Sequence, residues 1–382
     1  MKSNYKPIGN YIRKVEQRNK NLRVVRLLGL SMTKEFRETT SNTVGTDMSV
    51  YRVMGKYQFA CDFMSPIRVN KLPVVLKLDD ELNLVSPAYP VFEVKNRDEL
   101  DPEYLMMWFR RPEFDRYATF KCDAAIRGGY DWEELCETLI PIPSIDKQRE
   151  IVAEYNAIQN RININNQLIQ KLEETAQTIY KQWFVDEANN DWKVVKINNY
   201  GNVVTGKTPP SECPEDFGNN MLFITPGDFK NYNKFALDAE RSLSETGFLK
   251  LKNKILPKGS VIVTCIGSDM GKVVIASKDC ISNQQMNSII VNASYYSDFL
   301  YYYLIFIAEE IKGIAMGGST MPMLSKSDFE KIELIKPSDE ILIEFEKIMR
   351  PMNEMSVLYS NENQKLSELK DLLLSKLATI EK

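Results

Sequence analysis

The chain reads as one unit written twice, and that duplication limits its folds more than any other feature. Ile8-Gly9-Asn10-Tyr11 is answered by Ile197-Asn198-Asn199-Tyr200, and Asp131-Trp132 by Asp328-Phe329. Ile162, Asn166, Gln167, Ile169 and Leu172 line up with Tyr359, Asn363, Gln364, Leu366 and Leu369. The separations 359 − 162 and 328 − 131 both equal 197. Each copy is a mixed domain of about 140 residues followed by a long heptad-patterned helix. A protein built this way has internal two-fold character, and its natural partner carries two half-sites.

The heptads set the topology. Tyr155, Ile158, Ile162, Asn165, Ile169, Leu172, Ala176, Ile179 and Trp183 alternate spacings of three and four, as the seam of a coiled coil does. A second run passes through Phe345, Ile348, Met352, Met355, Tyr359, Glu362, Leu366, Leu369 and Leu373. Asn165 and Glu362 place one polar residue in each seam, and Pro351 should kink or restart the second helix. Seams that pair within one molecule must run antiparallel. Some 40 residues at about 1.5 Å each give a spacer of roughly 60 Å.

The expected fold is therefore α+β: two mixed α/β domains separated by two long helices that form an antiparallel intramolecular coiled coil, with a pseudo-two-fold. The expected divisions are residues 1–143, 144–186, 187–337 and 338–382. Strands are expected at Leu22–Leu30, Val74–Leu78 and Ala88–Val94 in the first copy. In the second they fall at Met221–Thr225, Ser260–Ile266 and Lys272–Ala276. Tyr104–Phe120 reads as helix after an Asp101-Pro102 start.

Composition narrows the chemistry. Hydrophobic content of 43% and charged content of 26% suit folded domains, each able to bury a core. No apolar run reaches the length of a membrane span, and Met1–Lys6 lacks a signal-peptide pattern, so a cytosolic location is expected. Cys61, Cys122, Cys136, Cys213, Cys265 and Cys280 are scattered without a C-x-x-C pair, which predicts reduced thiols and no zinc site. The chain has no histidine, which removes imidazole bases and most transition-metal sites. A net charge of −3 hides a local excess: residues 1–30 hold Lys2, Lys6, Arg13, Lys14, Arg18, Lys20, Arg23 and Arg26 against Glu16 alone.

Two motif matches fail on context. Gly201-Asn202-Val203-Val204-Thr205-Gly206-Lys207-Thr208 fits the phosphate-loop pattern, but Pro209, Pro210 and Pro214 deny it the helix its chemistry requires. Asp228-Phe229-Lys230 lacks a second metal carboxylate on an adjacent strand, so a turn is expected. Polar turns suit base reading better. Asn283, Gln284 and Gln285 supply amides able to pair with adenine, and Lys207 and Thr208 can meet phosphate. Gly317-Gly318-Ser319-Thr320 and Arg127-Gly128-Gly129 precede the Asp-aromatic pairs, so Arg127, Gly318, Ser319 and Thr320 join Arg13, Lys14 and Arg18 as candidate DNA contacts.

Four stretches resemble the specificity subunit of type I restriction–modification systems. Pro141-Ile142-Pro143-Ser144-Ile145-Asp146-Lys147-Gln148-Arg149-Glu150 through Gln182-Trp183-Phe184-Val185-Asp186 is similar to that family's central region. Thr205-Gly206-Lys207-Thr208-Pro209-Pro210 through Phe223-Ile224-Thr225-Pro226-Gly227-Asp228 resembles the opening of a target recognition domain. Ile281-Ser282-Asn283-Gln284-Gln285-Met286-Asn287 and Gly317–Ser325 resemble its later landmarks, with Val85-Ser86-Pro87-Ala88-Tyr89 comparable in the first copy. Pro337-Ser338-Asp339-Glu340-Ile341 departs from the pattern, because it lacks the glutamine that Gln148 supplies in the first copy.

The resemblance implies a non-catalytic subunit that reads an asymmetric, split double-stranded DNA site. Two methyltransferase subunits would dock on the helices, and restriction/translocase subunits would complete the enzyme. S-adenosylmethionine, ATP and Mg would sit on those partners and none on this chain. The seam residues implied for assembly are Tyr155, Ile158, Ile162, Ile169, Leu172, Ile179, Met352, Met355, Tyr359, Leu366, Leu369 and Leu373. Two other readings stay open from the residues: a nucleotide hydrolase using Gly206-Lys207-Thr208, and a coiled-coil assembly protein with no DNA role.

Overall fold

A computed structural model describes residues 5–39, 43–124, 130–210, 212–267, 270–315 and 323–379. Residue contacts divide the chain into two units, Met1–Asn163 with Asn363–Lys382, and Ile164–Glu362.

The duplication is real at the level of strands. In the first unit Tyr5–Pro7 pairs antiparallel with Leu139–Pro141, and in the second Lys193–Lys196 pairs with Glu333–Lys336. A short 3-10 turn follows each opening strand, at Ile8–Asn10 and at Ile197–Asn199. Tyr11 N–H bonds Ile8 O in one copy, and Tyr200 N–H bonds Ile197 O in the other. The main sheets then share an order. The first is Ile12–Val15, Val91–Val94, Gln58–Cys61, Val74–Leu76, all antiparallel. The second is Gly201–Thr205, Met286–Val291, Val261–Thr264, Val273–Ala276, with a parallel edge strand Phe235–Ala236.

These strands form because β-branched and aromatic residues are buried on both faces, as in the fully buried Val261–Thr264 and Val273–Ala276. One face packs the helix Pro102–Arg110 in the first unit and Tyr296–Phe306 in the second. Of the run Leu22–Leu30 only Leu28–Leu30 is strand, paired with Phe36–Glu38. The expected helix Tyr104–Phe120 is two helices, Pro102–Arg110 and Pro112–Ala124. Arg111 between them is extended, the geometry that a following proline favours. Asp101 caps as expected, accepting N–H bonds from Glu103 and Tyr104 at 2.8 and 3.1 Å.

The long helices are Ile145–Lys181, ending in a π-turn Gln182–Asp186, and Asp339–Lys376. They pair antiparallel within each unit. In the first, Ile151, Val152 and Tyr155 share a core with Leu374 and Leu377, and Lys370 Nζ donates to Gln159 Oε1 at 2.9 Å. In the second, Tyr180 and Phe184 meet Phe345 edge to face at 6.2 and 5.0 Å, and Asn165 meets Glu362.

Pro351 does not break the second helix. It is exposed, where water can serve the carbonyl left by the missing N–H.

The second seam needs correcting. Ile348, Met355 and Leu369 are 37%, 43% and 49% exposed, whereas Leu342, Met349, Ser356 and Leu374 are buried. The cause is a wrong offset. Gln148 N–H bonds Ser144 O at the start of one helix and Leu342 N–H bonds Ser338 O at the start of the other, a separation of 194 rather than 197. A shift of three residues is most of a helical turn, enough to move the seam onto the neighbouring stripe. With 194, buried Tyr155 answers buried Met349 and buried Tyr180 answers buried Leu374. Of the other seam residues, Ile162 and Ile169 are buried; Ile158, Leu172, Ile179, Met352, Tyr359, Leu366 and Leu373 are half-buried.

Candidate nucleic-acid interface

The first strand of each main sheet ends in a polar edge. Tyr11 O accepts from Lys95 N–H and Tyr200 O from Asn292 N–H, and Ile12 pairs with Val94 as Gly201 pairs with Val291. Seven residues past each tyrosine stand Arg18 and Lys207, so these two exposed cations occupy equivalent positions in the two copies.

A turn of matching form occurs in each unit; it adjoins Lys207 in the second, while in the first Arg52, which bridges to Arg18, reaches it. Tyr89 N–H bonds Ser86 O, and Met286 N–H bonds Asn283 O. The side chains close both turns alike: Ser86 Oγ accepts from Ala88 N–H at 3.3 Å, and Asn283 Oδ1 from Gln285 N–H at 3.0 Å.

In the second unit five candidates come together. Thr208 Oγ1 donates to Gln284 Oε1 at 2.5 Å, Lys207 N–H bonds Ser282 O, and Asn283 Nδ2 donates to Gln285 Oε1 at 3.1 Å. The approach depends on Gly206. A Cβ there would lie 2.1 Å from Asn283 O and 2.3 Å from Ser282 O, both backbone atoms that cannot swing away. Asn283 spends its side chain on the turn, whereas Gln284 and Lys207 remain exposed. Below them Asn287 Nδ2 donates to Leu324 O at 3.1 Å and to Cys265 Sγ at 3.4 Å, while Thr205 Oγ1 bonds Asn287 Oδ1 at 2.7 Å. Asn287 thereby ties the edge to the segment that follows residues 316–322. Gly318, Ser319 and Thr320 lie outside the described residues, as does Arg127.

In the first unit the candidates do not form one cluster. Arg13 is held by Glu93 at 2.6 Å, which offsets its charge locally. Burial raises the pKa of Glu93, but hydrogen bonds from Gln58 and Arg13 outweigh that and leave it below its usual value. Lys14 sits 5.1 Å above the Trp132 ring. Arg18 Nη1 donates to Val50 O at 2.6 Å.

The phosphate-loop motif has no phosphate-loop structure. No helix starts at Lys207; the next element is a short 3-10 turn at Pro214–Asp216. Asp228 is likewise structural, since its carboxylate accepts from Thr225 N–H, Thr225 Oγ1 and Glu240 N–H.

Sequence reading missed three cations. Arg52 Nε donates to Pro87 O at 3.2 Å, bracing the first turn, and its Nη1 pairs with Glu16 at 2.9 Å. Arg241 lies 3.8 Å over the Phe217 ring. Lys34 is buried against Asp115 at 2.8 Å and against Phe109 O; burial pulls its pKa down, opposed by Asp115. Their partners are distant along the chain, so no local pattern announces them.

A mixed domain repeated around long antiparallel helix segments, with a matching polar edge in each copy, is the architecture of a two-module scaffold. A family model described as "Type I restriction modification DNA specificity domain" matches residues 189–370. The chain is 27% identical to the type I restriction enzyme HindI specificity subunit of Haemophilus influenzae, over 79% of this chain and 82% of that protein. It is 30% identical to the type I restriction enzyme MjaIX specificity subunit of Methanocaldococcus jannaschii, over 52% of this chain and 45% of that one. The crystal structure of a type I restriction–modification system S subunit from M. genitalium superposes with a TM-score of 0.61 at 14% identity, covering 99% of this chain and 96% of that one, a likeness of fold. Residues 189–370 thus carry the DNA specificity domain of type I restriction–modification systems, and the chain is similar along most of its length to specificity subunits of such systems.

Proposed function

We propose that this specificity subunit reads a split, asymmetric DNA site, one half with each recognition domain, and contributes no bond-making chemistry of its own. The supporting observation is the equivalence of Arg18 with Lys207 by position, together with matching turns that carry different side chains. These are Ser86-Pro87-Ala88-Tyr89, linked to Arg18 through Arg52, in one copy and Asn283-Gln284-Gln285-Met286, next to Lys207, in the other. Equivalent cations suit phosphate, which carries no sequence, while unlike turn side chains suit different bases. The long helices fix the interval between half-sites and dock methyltransferase subunits, with restriction/translocase subunits added where the complex cleaves. S-adenosylmethionine, ATP and Mg belong on those partners.

Methylome sequencing of cells that carry the complex tests this reading. Replacing residues 1–143 with the first domain of a relative should change one half of the modified motif and leave the other intact. Changes in both halves, or no split motif at all, would overturn it. ATP turnover by the purified chain that disappears in Lys207→Ala would favour the hydrolase instead.

A further inference from the structure

In both units the recognition body meets the long helices through an apolar core. One polar contact nevertheless recurs in kind. Asn156 of the first long helix donates Nδ2 to Glu103 Oε2 at 2.7 Å, and Glu103 lies in the first turn of Pro102–Arg110. Asn353 of the second donates Nδ2 to both carboxylate oxygens of Asp298 at 3.0 Å, and Asp298 lies in the first turn of Tyr296–Phe306.

The second contact opens onto a buried network. Asp298 pairs with Lys234 at 2.5 Å, with side chains only 8% and 3% exposed. Lys234 Nζ also donates to Tyr302 Oη at 3.0 Å, and Tyr302 Oη donates to Glu173 Oε2 at 3.2 Å on the first long helix. Lys234 immediately precedes the edge strand Phe235–Ala236, and its carbonyl accepts from Ile275 N–H. One chain of bonds therefore runs from both helices into the sheet of the second recognition domain. Apolar contact is non-directional and tolerates rocking, whereas a buried hydrogen-bonded charge network has one geometry. Such networks contribute little net stability, whereas in some proteins a buried polar group fixes one arrangement over others.

We infer that Asn156 and Asn353 are positioning residues that hold each recognition domain at a fixed angle on its helix, and that they make the complex discriminate between DNA sites by the interval separating the half-sites. The inference rests on the split-site reading above. A domain free to rock would reach half-sites one base pair nearer or farther, at the expense of the native interval.

The test uses the complete methyltransferase complex and plasmids carrying the two half-sites at the native spacing and at spacings longer or shorter by one and two base pairs. Asn156→Ala and Asn353→Ala should each lower the ratio of native to shifted-spacing methylation by about threefold to tenfold, the fold-change that a hydrogen-bonded contact of ordinary net strength contributes. Glu103→Ala, at a half-buried position, should do the same if Asn156→Ala fails to fold. The reversed pair N156D/E103Q should restore the ratio. Unchanged ratios in folded Asn156→Ala, Glu103→Ala and Asn353→Ala complexes would overturn the inference while leaving the split-site reading intact. A wild-type complex that modifies no split site would remove both.

Discussion

Asn165 donates its Nδ2 to Glu362 Oε2 at 2.9 Å, so the polar residue of one seam is the partner of the polar residue of the other. Asn165 is fully buried, and its place among Ile162, Ile169 and Ala176 would suit an apolar side chain. A polar pair in an apolar seam lowers stability but penalises every other alignment of the two helices, since a slip of one turn would bury both groups against hydrocarbon.

Asn165→Ala should lower the urea midpoint of the chain by the equivalent of about 1–3 kcal/mol, because the Glu362 carboxylate loses a buried donor. The double variant N165L/E362L should recover that loss or exceed the wild type, as replacement of buried polar pairs by apolar ones does elsewhere. A double variant less stable than Asn165→Ala would show that the pair contributes net stability rather than alignment.

Gly206→Ala drives a methyl group against two carbonyl oxygens at 2.1 and 2.3 Å, so the loop Gly206–Pro210 must part from the turn at Asn283. Overpacking of this kind costs about 1–3 kcal/mol. Thermal denaturation should show that loss, and methylation assays should show weakened recognition of the half-site read by the second domain. Wild-type stability together with wild-type methylation would mean that this loop and turn do not act as a unit.

Arg18→Ala and Lys207→Ala should weaken DNA binding by the complex for target and non-target sequences alike. Each should also lower the slope of log K against log salt by about one, the signature of one lost phosphate contact. Fluorescence anisotropy at several salt concentrations measures both. A loss confined to the target sequence would assign these residues to base edges; an unchanged slope in both variants would remove them from the interface.

The parts of the fold that were legible in the sequence are those governed by local rules. The Ile-x-x-Tyr repeats mark matching 3-10 turns, Asp101-Pro102 marks a helix start, and three prolines deny Lys207 a helix. The second seam was misread because the 197-residue offset aligns it on apolar Ile348 and Met355 instead of on buried Met349 and Ser356. Ser356 is small and polar yet buried, while Met355 is 43% exposed. Only the carbonyl pairings at Ser144 and Ser338 reveal the three-residue shift. The candidate site was legible where both partners are short-range, as in Asn283 with Gln285. It was hidden where a cation meets a partner far along the chain, as Lys34 meets Asp115 and Arg52 meets Pro87.

The cysteines give a test of the cores themselves. Burial pushes the Cys265 thiol up to about 11 and Cys280 up to about 12, from an ordinary value of 9.0, and raises Cys61 as well. Only the thiolate is an effective nucleophile, so iodoacetamide at pH 8.5 should label half-buried Cys136 and Cys213 first and reach Cys61, Cys265 and Cys280 only after unfolding. The same shifts act on stability. Below about pH 8 these thiols are protonated in both states and contribute no slope. As pH rises past 9 the unfolded thiol ionises and the folded one does not, so the folded state holds more protons and stability falls, by about 1.4 kcal/mol per pH unit for each fully shifted thiol. For Cys265 that fall ends near 11. Buried tyrosines such as Tyr104 and Tyr200 are also raised above their ordinary value of 10.0 and add a fall of the same sign at higher pH. Between about pH 8.5 and 9.5 unfolded thiols ionise ahead of unfolded tyrosines. In that range Cys265→Ala should flatten part of the decline in urea midpoint whatever its effect on the midpoint at about pH 7. An unaltered decline, or rapid labelling of Cys265 in the folded chain, would place that thiol in contact with solvent and the Asn287 contact beside it outside the core.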